Sequence, residues 1–154
     1  MYLTIRKVPK GKIKLSTIRT VAHFCAKELF SPQLNKNISC QIVFDEKETG
    51  DIYGLVHYID ERPFREFIVY LNPKKPREDI LMTIAHELVH VDQIATDRWF
   101  LFSNNTLRTR WKNRIYRVNP KKFGEQHKPW EIEAYNMEDK LIDKLYKEHV
   151  LKKE

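Results

Sequence analysis

Residues 80–95, "ILMTIAHELVHVDQIA", constrain this chain more than any other stretch. Apolar residues at Ile80, Leu81, Ile84, Ala85, Leu88 and Val91 recur with a helical period and mark a broad buried stripe. "NPKKP" upstream breaks any preceding element, and the acidic residues of "REDI" complement the positive end of a helix dipole. The spacing therefore predicts a helix from about Pro76 to Ala95. Into this core-facing helix the sequence sets His86, Glu87 and His90, three groups that are costly to bury without partners. Whatever the fold is, it has to supply those partners.

The spacing suggests what they are. Residues four apart on a helix lie one above the other, so His86 and His90 can offer ring nitrogens to one ion. Zinc takes imidazole nitrogen, and in catalytic sites it keeps three protein ligands and one position for water. Glu87, one residue from His86, is placed to take a proton from that water without ligating the metal. The bland alternative is a pair of hydrogen-bonded core histidines beside a surface glutamate.

A third ligand has to come from elsewhere, because the continuation "VDQIAT" holds neither glycine nor histidine. "PWEIEAYNME" supplies two candidates. Glu131 and Glu133 lie about 200° apart on a helix, so only one can face the metal. Ala134, three positions after Glu131, lets two helices approach closely and favours Glu131; Glu133 and His127 stand as rivals. Tyr135, Tyr116 and His127 are candidates for the electrophilic partner that an oxyanion would require besides the metal.

Around this centre the patterns predict an α+β chain. "LSTIRTVAHFCAKELF" (15–30) reads as an N-terminal helix with Ser16 or Thr17 as N-cap, ended by Pro32. Three β-rich runs follow, "ISCQIVF" (38–44), "IYGLVHYID" (52–60) and "REFIVYLN" (65–72), separated by polar turn-like segments, and are expected to form a three-stranded antiparallel meander. After the histidine-bearing helix, "WKNRIYRV" suggests a small hairpin or extended arm, and Pro129 opens a last helix that carries the glutamate. Trp130 reads as that helix's anchor, and His23 and His57 as surface or hydrogen-bonded histidines. At 154 residues, with 42% hydrophobic content, residues 1–154 are expected to form one domain with a basic insert at about 98–128.

Composition narrows the setting. Cys25 and Cys40 form no CxxC pattern and read as small core residues, and no run approaches the roughly 18 apolar residues of a membrane span. A soluble, cytoplasmic protein is expected. The excess of 28 Lys+Arg over 21 Asp+Glu, a net +7, is concentrated between Arg98 and Lys128, where Glu125 is the only acid. Arg108, Arg110, Lys112, Arg114 and Arg117 are therefore candidates to contact DNA or RNA, with Trp111 and Tyr116 stacking on bases or closing a lid over the cleft. The bland reading is a solvated basic loop.

The "HELVH" helix, the helix and sheet before it, and "PWEIEAY" opening the next helix resemble the compact gluzincin-type zinc metallopeptidases. They are most similar to the small SprT-like or putative metallopeptidases of phage and bacterial genomes, over about residues 75–145. The resemblance implies a zinc-dependent hydrolase of peptide bonds, with His86, His90 and Glu131 on zinc and Glu87 as general base. It also implies a protein or peptide substrate laid along a sheet edge, for which "REFIVYLN" or "IYGLVHYID" could serve. SprT-type proteins proper take a histidine as third ligand, which keeps His127 open. The gluzincin pattern E-x-x-A/S-D/N is met through Ala134, but Tyr135 stands where it has Asp or Asn. Some SprT-like proteases act on proteins attached to DNA, a role that a basic arm would suit.

Overall fold

The computed structural model describes residues 1–59, 61–102, 108–117, 128–148 and 150–152. Its elements run β1 (Tyr2–Arg6), α1 (Leu15–Leu29), α2 (Pro32–Asn37), β2 (Ser39–Phe44), α3 (Glu46–Thr49), β3 (Gly54–Tyr58), β4 (Glu66–Leu71), α4 (Arg77–Ala95), β5 (Trp99–Leu101), β6 (Arg108–Trp111), β7 (Arg114–Arg117) and α5 (Pro129–Lys147). The class is α+β. Among the described residues no helix is long and apolar enough to cross a membrane.

The main sheet departs from the expected meander. It has four strands in the order β1-β2-β4-β3, with β1 parallel to β2, β2 parallel to β4, and only β3 antiparallel to β4. The polar segment after β2 is no hairpin turn. Asp45 caps the short helix α3 by accepting from Lys47 N at 3.0 Å, and Gly50 ends it at φ 56°, where a residue without Cβ is unstrained. The chain thus passes over the place beside β2 and begins β3 one strand further out. Asn72, 3% exposed, pins that crossing: its amide donates to the carbonyls of Gly50 at 3.0 Å and Ile52 at 3.1 Å.

Side-chain character fits the order. The uninterrupted apolar run of β4 suits a central strand, whereas Gly54 and His57 suit an edge. β1 went unread because its charged, half-exposed pattern carries little strand signal. Pro32 does not merely end α1. It is the first residue of α2, with Ser31 as N-cap accepting from Leu34 N at 3.1 Å. The N-cap of α1 is Lys14, with no side-chain cap bond, so neither Ser16 nor Thr17 plays that part.

Helix α4 lies at the centre and packs against α1, α5, β3, β4 and β5. Phe67, Val69 and Leu71 of β4 reach the core from the sheet, and Val21, Ala22 and Cys25 from α1. At its C-terminus Asp97 takes φ 57° and Arg98 N donates to Gln93 O at 2.8 Å, a closing turn that sends the chain back along the helix into β5. β5, β6 and β7 form a second, antiparallel sheet, in which Lys112 and Asn113, both at positive φ, make a two-residue hairpin turn. The expected hairpin is thus present, with β5 as an additional strand. Asn72→Ala is expected to cost about 1–3 kcal/mol in a denaturant melt, the range for a buried side chain that serves several hydrogen bonds; unchanged stability would show that the crossing loop is held by other interactions.

Candidate metal centre

His86, His90 and Glu131 converge where α4 and α5 pack together. His86 Nε2 lies 3.1 Å from His90 Nε2 and 3.1 Å from Glu131 Oε2, and His90 Nε2 lies 3.2 Å from Glu131 Oε1. Two ligands at 2.0–2.1 Å from a tetrahedral ion stand about 3.3 Å apart, close to the separation of the two Nε2 atoms, and Glu131 offers a different oxygen to each ring. They form a group that could hold a metal ion. The helices can meet this closely because Ala134, fully buried, puts only a methyl group between them.

Each imidazole is held from behind. His86 Nδ1 donates to Glu138 Oε2 at 2.7 Å, and His90 Nδ1 to Gln93 Oε1 at 2.8 Å. Sequence reasoning singled out neither partner. Glu138 was legible in principle, since it falls seven residues, two helical turns, after Glu131 and so on the same face. Glu133 points elsewhere: it accepts from Gln93 Nε2 at 2.7 Å and from Arg98 Nη1 at 2.7 Å. His127, the other rival, lies outside the described residues.

Glu87, 5% exposed, lines a cleft of about 670 Å³ that runs along α4 beneath β3. A Cβ on Gly54 would stand 2.7 Å from Thr83 Cγ2, 2.9 Å from the Tyr70 carbonyl and 3.2 Å from Glu87 Oε1. Glycine is what lets the edge strand approach α4 beside this carboxylate. Asn72 N donates to Tyr53 O and Ile59 N to Glu66 O, which turns the odd-numbered residues of β3 toward β4. The main-chain groups of Gly54, Val56 and Tyr58 therefore face the open edge. Of the two strands suggested for a substrate, β3 is at the edge and β4 is interior.

Tyr135 also lines the cleft, 41% exposed, with its ring 4.7 Å from that of His86. Tyr116 does not line it. It packs edge-on against Trp130 at 5.9 Å and Trp111 packs tilted against the same ring at 6.4 Å, so these two aromatics turn inward and neither is presented for stacking. Trp130 does anchor α5, at 4% exposure, and stacks on Trp99, which in turn covers the His90 ring at 4.8 Å. Trp99 went unrecognised because nothing local marks it. His23 and His57 are exposed and away from the cleft, His57 edge-on to Tyr70.

The electrostatics follow from crowding. Burial disfavours a charged His86, but hydrogen bonds to Glu131 and Glu138 and the nearby charge of Glu87 outweigh it and lift the ring to about 10. His90 is raised against the same burial by Glu131 and Glu87. Burial would raise Glu131, yet hydrogen bonds from both imidazoles hold it down at about 2. The carboxylates thus call for positive charge between them, which protons supply when no metal does. Cys25 and Cys40 take no part, since burial pushes both thiols up to about 12.

The basic residues separate by face. Cross-strand neighbours share a face, so Arg108, Arg110 and Arg117 lie with Phe100 and Ile115 on one side of the small sheet. Arg114 falls on the other side with Trp111, and Lys112 sits in the turn with its ammonium 5.1 Å from the Trp111 ring. No protein-family model, curated protein or solved structure matches the chain. With His86 near 10 and His90 raised, a metal has to displace protons to reach Nε2. Calorimetric titration with a divalent metal near neutral pH, in buffers of different ionisation enthalpy, should report release of about one to two protons per ion; a heat independent of buffer would contradict this charge state.

Proposed function

We propose that the chain is a zinc-dependent metallopeptidase. The observation that carries the reading is the convergence of His86, His90 and Glu131 from two helices into a group that could hold one ion, with the buried Glu87 carboxylate beside them in a cleft under an open strand edge. Two imidazoles and one carboxylate suit zinc, although such a set also accepts neighbouring transition metals. Zinc, when bound, supplies Lewis acidity toward the scissile carbonyl and makes water easier to deprotonate.

The chain's own residues do the rest. A peptide laid along β3 hydrogen-bonds through its backbone to the outward main-chain groups of Gly54 and Val56, a mode that needs no particular side chain. Glu87 takes the proton from the attacking water as the carbon–oxygen bond forms, then returns it to the amide nitrogen as the carbon–nitrogen bond breaks. Tyr135, which lines the cleft with its ring 4.7 Å from that of His86, is the residue assigned to donate to the developing oxyanion. Five carboxylates line the cleft, those of Asp51, Asp79, Glu87, Glu131 and Glu138, and no lysine or arginine does so among the described residues. Basic polypeptides are the substrates such a lining favours. A cytoplasmic location belongs to the same reading, in keeping with two buried free thiols.

Glu87→Gln should retain about one zinc per chain and lose at least a hundredfold in hydrolysis of an unfolded basic protein, the scale of a lost general base. Elemental analysis with a gel-based cleavage assay checks both. Full activity in the variant would remove Glu87 from the mechanism.

A second reading, nucleic-acid binding, draws on the outward face of the small sheet. Arg108 and Arg117 are exposed there around Ile115, 61% exposed, and the guanidiniums of Arg110 and Arg62 lie 5.4 and 5.2 Å from the Phe100 ring. Asp97 bridges Arg62 and Arg110 there. The two readings combine without conflict, because proteins bound to nucleic acid are commonly basic, as the cleft prefers, while the arginine face suits the polyanion. Arg108→Glu with Arg117→Glu should lower the salt dependence of oligonucleotide binding by roughly one unit of log–log slope for each phosphate that the variant no longer neutralises, with zinc content unchanged. Wild-type protein that binds no oligonucleotide at low salt would end this second reading.

A further inference from the structure

We infer that Gln93 is the positioning residue of the metal site, its buried amide fixing the ring orientation and tautomer of His90 so that Nε2 is presented to the ion. This rests on the metal-site reading and adds to it a residue that no motif predicts. Gln93 is fully buried in a helix otherwise filled at that depth by Ile84, Leu88 and Val91, where a leucine would pack without any polar cost. Its side chain has all its obligations met. Oε1 accepts from His90 Nδ1 at 2.8 Å, and Nε2 donates to Trp130 O at 3.0 Å and Glu133 Oε2 at 2.7 Å.

The direction of these bonds is forced. Trp130 O and the Glu133 carboxylate can only accept, so the amide nitrogen has to face them and the amide oxygen has to face His90. An amide oxygen in turn accepts only, so Nδ1 carries the proton and Nε2 is left with its lone pair for a metal. Turning the amide over would set oxygen against two acceptors. Glu133 is itself immobilised, because Arg98 Nη1 lies 2.7 Å from both of its oxygens while Arg98 Nη2 reaches Asp92 at 2.6 Å. The residue that competed with Glu131 for the metal is thus the clamp on the group that aims His90. A neutral amide also suits a site already crowded by Glu87, Glu131, Glu133 and Glu138, since it orients the ring without a further buried charge.

The test is a double-mutant cycle on the full chain, read as zinc affinity by competition with a chromophoric chelator. Gln93→Leu should weaken binding by about ten- to a hundredfold, the usual effect of removing such an outer partner. In a His90→Ala background the same substitution should change the residual affinity little. An equal loss in both backgrounds, or none in the wild-type background, overturns the role. A measurement on the unmutated protein guards against a variant that does not fold: in the nitrogen-15 spectrum of the zinc-loaded chain, His90 should carry its proton on Nδ1 and show the metal-shifted signal at Nε2, and the reverse assignment overturns the role. Wild-type protein that binds no zinc overturns the site and this role together, whereas tight binding by both wild type and Gln93→Leu overturns the role alone.

Discussion

Two imidazoles held among four carboxylates, inside the packing of α4 on α5, are the constraint on which the rest of this molecule depends. Glu131 approaches both rings, Glu138 takes the far side of one, Glu87 lies alongside, and Glu133 stands one shell further out. Burial by itself would push imidazoles toward neutrality and carboxylates toward protonation. Here each sign supports the other: the carboxylates raise both imidazoles and the imidazoles lower Glu131, so the donors call for positive charge between them, as protons or as a metal ion. Both rings turn Nε2 toward each other and toward Glu131, which meets His86 with one carboxylate oxygen and His90 with the other.

The surrounding fold can be understood as what holds that arrangement still. α4 supplies one wall, α5 the other, and Ala134 sets their distance. The closing turn at Asp97 brings β5 back so that Trp99 covers His90, and Trp99 stacks on Trp130 at the start of α5, one residue before Glu131. Arg98, which sequence reading grouped with the basic surface, spans α4 and α5 through Asp92 and Glu133, and its guanidinium lies 5.9 Å from the Trp111 ring. The second sheet is therefore tied to the site through side chains of two adjacent residues, Arg98 and Trp99. Its inward aromatic face belongs to the core, and its outward arginine face does not.

Much of this was legible in the sequence wherever function and local periodicity coincide. The bounds of α4 and the shared face of His86 and His90 followed from helical spacing, and the angular separation of Glu131 from Glu133 correctly left one of them facing the histidines. What was not legible is long-range order. Three β-rich runs in succession look like a meander, and nothing local in the segment between β2 and β3 says that Asn72, more than twenty residues on, will pin the crossing and leave room for β4 in the middle. Facing was equally hidden in the short strands of the basic segment, where Trp111 and Tyr116 could be assigned to neither side until their partners β5 and Trp130 were known.

Charge is distributed by the same geometry. A chain with a net +7 keeps its cleft free of lysine and arginine among the described residues and lines it with carboxylates, while arginines gather on the far side of the small sheet. Lys74, Lys75 and Arg77, the cations that precede the cleft's Asp79 in sequence, are engaged with Glu46, the Tyr53 ring and Glu78 in turn. Such separation is hard to account for by solubility, which mixed surface charge serves as well. It is what a protein needs if one face is to be drawn to a polyanion while the cleft receives a basic chain, since each partner would be repelled by the other's site. On the proposed reading the β5–β7 sheet would link the two: its inner face packs against the candidate metal centre through Trp99, and its outer face carries the arginines that would meet a polyanion.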